Sequence, residues 1–140
     1  MIHKLFLFSV ILFALTSNVK GQVNDPPTGA DSLVVVWSSG DIDVAEKVCL
    51  MYTHAAKKNQ WFMEVVLVVW GPSAKLLAEN QGLQTKLAEM QKDGILVQAC
   101  INCTNQYGVS EKLKALGIDV RPMGVSLTDY LKSERKMLNF

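Results

Sequence analysis

The chain has 140 residues, a length that suits one domain with a buried core. Its 14 basic and 13 acidic residues give a formal net charge of +1, and the basic ones form no cluster. That argues against nucleic acid as a partner.

Residues 1–21 have the three-part pattern of a secretory signal peptide. His3 and Lys4 precede the apolar run Leu5–Leu15, "LFLFSVILFAL", and Thr16–Gly21 is small and polar. The run falls well short of the roughly 20 residues of a spanning helix. Val19 and Gly21 stand at the −3 and −1 positions of a cleavage site before Gln22. An exported protein, periplasmic or secreted, is therefore expected, with no membrane association after cleavage. Loss of Lys4 and Lys20 leaves 12 basic residues against 13 acidic ones. Residues 22–31 read as a polar, Pro-containing leader without fixed structure. The single domain is expected over 32–140.

Leu33–Trp37, "LVVVW", and Met63–Trp70, "MEVVLVVW", are apolar, β-branched runs that fit strands buried on both faces. Between them Val44, Val48, Met51 and Ala55 recur at helical spacing, with Ala45, Cys49, Tyr52 and Ala56 beside them. Asp43, with Glu46 three residues on, resembles a capping box, and Asn59–Gln60 ends the helix. Pro72 suits a first helical position in "GPSAKLLAEN". Leu83, Leu87 and Met90 mark another helix, stopped by Gly94. Ile95–Ala99 is a third strand. Ser110 can cap "EKLKALG", which Gly117 stops. Ile118–Val120 starts a short fourth strand, ended by Pro122. Ser126 and Asp129 frame the start of a last helix, "LTDYLKS", and "KMLNF" closes the chain as a strand. Strands alternating with helices predict a three-layer α/β/α sandwich around a mostly parallel sheet of about five strands.

Loops that leave the carboxyl ends of parallel strands emerge on one edge, where ligands bind. Three of them can contribute: Ser38–Asp41 with Ser39 and Gly40, Gly71–Ser73, and Cys100–Asn105. The loop holding Gly124 can join them. Their Gly and Ser residues also serve as ordinary turn and cap residues.

The cysteines number three, so a monomer leaves at least one unpaired. Cys49 lies on an apolar stripe, where a free cysteine acts as a small hydrophobe. His54 is expected to be solvated between lysines. Zinc needs about four ligands, and no second Cys-x-x-Cys is present, so no metal or other cofactor is expected. Cys100 ends a strand, and Cys103 falls in the first turn beyond it. A thiolate there gains from backbone N–H groups and the helix dipole. A structural disulfide in an exported chain is the plain alternative.

The segment "CINCTNQYGVS" resembles the Cys-x-x-Cys-Thr motif of the DsrE/TusD family, with Gly eight residues after the first Cys. The matching positions are Cys100, Cys103, Thr104 and Gly108. The ending "MLNF" is similar to that family's "VLTF", and "WGPSAKLL" and the turn with Gly124 sit where the family places site loops. The likeness is greatest to small YchN-like members and spans about Leu33–Phe140. It implies a three-layer fold, homo-oligomers (trimers or hexamers), and a persulfide-carrying cysteine at Cys100. Ser39, Gly40, Gly71, Ser73, Thr104, Gly108 and Gly124 are then the expected ligand-binding positions. The partners would be a sulfur donor and acceptor, either a protein or a small sulfur species. The other readings are a Cys-x-x-Cys thiol–disulfide oxidoreductase and a non-catalytic, oligomeric small-ligand-binding domain.

Overall fold

The computed structural model describes residues 31–140; the signal-peptide reading and all but the last leader residue lie outside the described residues. Strands β1 (Ser32–Trp37), β2 (Glu64–Val69), β3 (Leu96–Cys100), β4 (Asp119–Arg121) and β5 (Lys136–Asn139) form one sheet. Its order is β4-β3-β2-β1-β5, and every neighbouring pair is parallel.

The helical segments are α1 (Ile42–Val44), a π-helical turn over Ala45–Cys49, α2 (Leu50–Lys58), α3 (Pro72–Glu79) and α4 (Gln81–Lys92). After β3 come α5 (Ile101–Gln106) and α6 (Ser110–Ala115), and α7 (Met123–Lys132) joins β4 to β5. The steps from β1 to β4 all move one way across the sheet. Right-handed crossovers therefore stack their helices on one face. The return from β4 to β5 runs the other way and places α7 on the opposite face.

The side chains follow this division. Leu33, Val35, Trp37, Leu67, Val69 and Val97 face the first layer, where Cys49, Leu50, Leu77, Leu87 and Leu113 meet them. Val34, Val36, Val66, Val68 and Cys100 face the second, where Met123, Leu127 and Tyr130 of α7 cover them. The expected three layers are present, and the second is a single helix. Each fully buried aliphatic side chain contributes about 1.5–3 kcal/mol.

The first helix departs from the expected stripe. The π turn adds a residue to one turn and rotates everything after it. Ala45, Cys49, Leu50, Thr53 and Ala56 are buried, whereas Val48 and Met51 are exposed. The cap is Asp41, not Asp43. Asp41 has extended backbone, and its Oδ1 accepts from the N–H groups of Asp43 at 2.8 Å and Val44 at 3.1 Å. Asp43 instead pairs with Lys47 at 2.6 Å. Cys49 is core as expected, and burial pushes its thiol up to about 12.

His54 is not solvated. It is buried, and its Nε2 lies 2.5 Å from Asp93 Oδ2 in the turn before β3. The rotation of α2 brings it there, and its hydrogen bond holds the Asp93 carboxyl below the usual range. Two helix starts also differ from expectation. Ser110 does not cap α6, because its Oγ turns back to Thr104 and Asn105, both at 2.6 Å. The last helix begins at Met123, directly after Pro122, so Gly124 lies inside a helix rather than in a turn.

At the amino end of the sheet, Glu64 joins three elements. It accepts from Ser32 Oγ at 2.9 Å and from Arg135 Nη1 at 2.6 Å. Partial burial raises the Glu64 pKa, but these two hydrogen bonds outweigh it and the net shift is downward. A carboxylate depressed in the folded state stabilises above its unfolded pKa and loses that contribution as pH falls through its folded pKa. Glu64→Gln is therefore expected to melt lower than wild type at pH 7. The gap should begin to narrow as pH falls below the ordinary glutamate value of about 4.3 and close only at lower pH, once the depressed folded carboxylate is protonated. Thermal unfolding of both proteins across that pH range checks this, and a gap independent of pH would remove the charge from the account.

Candidate functional site

Parallel pairing brings the ends of β1, β2 and β3 to one edge. Cys100 is the last residue of β3 and the N-cap residue of α5. Its side chain points to the second face and packs with Val36, Val68 and Met123. Only 4% of Cys100 is exposed. Met123, the buried first residue of α7, belongs to the same cluster. Cys103, one turn into α5, is half-buried in the same cluster beside Trp70.

The three cysteines are free thiols, and Cys100 and Cys103 pack in one cluster. Burial pushes the Cys103 pKa up, and the neighbouring Cys100 adds to this. The backbone amides of Gly71 and of Cys103 itself act in the opposite direction.

Gly71 is the expected loop residue whose backbone acts on Cys103. Its φ of 68° and ψ of −132° belong to a region open in practice to glycine. The other expected positions build the edge rather than touch the thiols. Ser73 Oγ donates to Trp37 O at 2.6 Å and accepts from Trp70 N at 3.0 Å, tying β1 to β2. Ser39 Oγ accepts from the Asp41 N–H at 3.1 Å, and its own N–H donates to the Phe140 carbonyl at 3.1 Å. Gly40 packs against Pro72, where a Cβ would sit 3.1 Å from that ring. Thr104 is buried, and its hydroxyl is held by Ile101 O and Ser110 Oγ. Gly108, at φ 67°, ends α5. Gly124 lies on the exposed side of α7, next to Met123.

Sequence reasoning missed the polar side chains beneath α7. Gln98 of β3 is 2% exposed on the second face. Its Oε1 accepts from Tyr130 Oη at 2.9 Å, and its Nε2 lies 3.4 Å from Asp119 Oδ2. Asp119 in turn holds Arg121 Nη2 at 2.8 Å. The signal was a lone amide in the otherwise apolar "ILVQA".

A small parallel α/β domain with two free thiols at and just beyond a strand end is the class these features define. The chain belongs to the DsrE/DsrF-like family, whose model matches residues 31–140. A conserved protein of unknown function from Bacteroides thetaiotaomicron is 34% identical and superposes with a TM-score of 0.78, covering 83% of this chain and 100% of that one. The ychN protein from E. coli is 18% identical with a TM-score of 0.63, covering 78% of this chain and 98% of that one, which shows the shared fold alone. No curated protein matches this chain.

Proposed function

We propose that this is an exported, oligomeric sulfur carrier that holds sulfane sulfur as a persulfide on Cys100. One observation carries the reading: Cys100 ends β3 as the N-cap residue of α5, and a second free thiol, Cys103, lies one turn on in the same side-chain cluster. Family membership and the expected leader support it.

In loading, the Cys100 thiolate attacks the outer sulfur of a donor persulfide. A new S–S bond forms, the donor's S–S bond breaks, and the donor leaves as a thiolate. In discharge, an acceptor thiolate attacks the outer sulfur and Cys100 leaves as thiolate. Cys103 supplies the other exit. Its thiolate attacks Cys100 Sγ, hydrosulfide leaves, and a Cys100–Cys103 disulfide remains that a dithiol reductant must reopen. The closeness of the two thiols favours this resolving step.

Incubation with glutathione persulfide followed by mass spectrometry tests the reading. Wild type is expected to gain one sulfur atom at Cys100 and then to release hydrosulfide as the disulfide forms. Cys103→Ser should keep the extra sulfur, and Cys100→Ser should gain none. Sulfur found equally on all three proteins, or on none, would end the proposal. The same protein taken from the periplasmic fraction should begin at Gln22.

A further inference from the structure

Cys100 and Arg121 are Cα partners in the β3–β4 ladder. Register partners in a parallel pair project to the same face from strands about 4.8 Å apart. That face is the second one, since Cys100 packs there and Asp119, two residues before Arg121, meets Gln98 beneath α7. Asp119 engages Arg121 Nη2 at 2.8 Å. Gln98 holds Asp119, and Tyr130 holds Gln98, so the guanidinium is fixed from buried groups outward. A guanidinium has five N–H donors. Asp119 therefore leaves donors for a second anion.

The place suits a ligand. After β3 the chain proceeds to α6 on the first face, and after β4 it enters α7 on the second. Strand-end connections that part to opposite faces open a crevice at the carboxyl edge. There Asp119, Arg121, Pro122, Val125 and Ser126 line a groove of about 390 Å3.

We infer that Arg121 is a specificity-determining residue that recognises an anionic sulfur group approaching Cys100, with Asp119 and Gln98 as its positioning residues. The inference rests on the carrier reading and names its substrate class: sulfane donors with a sulfonyl-type oxyanion, R–SO2–S⁻. The Cys100 thiolate attacks the outer, sulfane sulfur. The Cys100 S–S bond forms, the donor's S–S bond breaks, and the electron pair leaves with the sulfinate, R–SO2⁻. Two negative charges enter the step and two leave it, with no external oxidant.

Site-resolved mass spectrometry of Cys100 provides the test, with thiosulfate as donor and iodoacetate and iodoacetamide as a charged and a neutral probe. Arg121→Gln is expected to slow thiosulfate loading and iodoacetate alkylation about tenfold, as loss of a steering charge does, and to leave iodoacetamide unchanged. Arg121→Lys should recover most of the loss. If the two alkylation rates fall together, or neither falls, the inference is overturned. Failure of the carrier reading looks different: wild-type Cys100 would prefer iodoacetate in an Arg121-dependent way yet take no sulfur from thiosulfate or glutathione persulfide.

Discussion

Met123→Ala is expected to destabilise the domain by about 2–5 kcal/mol and to open Cys100 to reagents. Met123 is fully buried as the first residue of α7, where it packs in the same cluster as Cys100. Truncation removes apolar atoms and leaves a cavity, and the penalty depends on how far the surroundings can collapse. They can collapse little here. The second face of the sheet is covered by one helix, so no neighbouring helix is available to shift inward. The cavity therefore stays open within the cluster that holds Cys100 and gives reagents a way to the sulfur. Urea unfolding gives the stability change, and iodoacetamide kinetics resolved at Cys100 give the exposure. Met123→Leu keeps most of the volume and should cost less than about 1.5 kcal/mol, with Cys100 still slow. Lost stability without faster alkylation would mean that another group shields the thiol.

The same asymmetry explains which parts of this protein were legible in its sequence. The apolar runs over Leu33–Trp37 and Met63–Trp70 announced buried parallel strands because both faces of each strand are covered. The Cys-x-x-Cys segment announced its strand-to-helix turn for a similar reason, since local pattern and backbone geometry agree there. The misreadings lie where a tertiary contact overrides the local pattern. A π turn at Ala45–Cys49 carried His54 inward to Asp93 and left Val48 and Met51 outside. Ser110 looked like a cap, but its hydroxyl was claimed by Thr104 and Asn105. The Gln98–Asp119–Arg121 chain joins residues that only strand pairing and the return of α7 bring together, and no spacing along the sequence encodes it.

Gly71→Ala tests the other side of the thiol pair. At φ 68° and ψ −132° an L-residue is strained, and holding it there costs about 1–3 kcal/mol. Nothing lies within 4 Å of an added Cβ, so the penalty comes from the backbone alone. Alanine has two outcomes. The chain can hold the strain, or φ can swing negative and rotate the Trp70–Gly71 peptide. Rotation moves the position-71 N–H and removes the backbone contribution that lowers the Cys103 pKa. The expected result is rotation, because it relieves the backbone strain. Cys103 then loses a donor that favours its thiolate, and its alkylation midpoint should move to higher pH. If the midpoint stays in place while stability falls by the full strain cost, the peptide has kept its orientation. The orientation of the position-71 N–H would then be imposed by the Gly71–Ser73 loop as a whole, not by the freedom of one glycine.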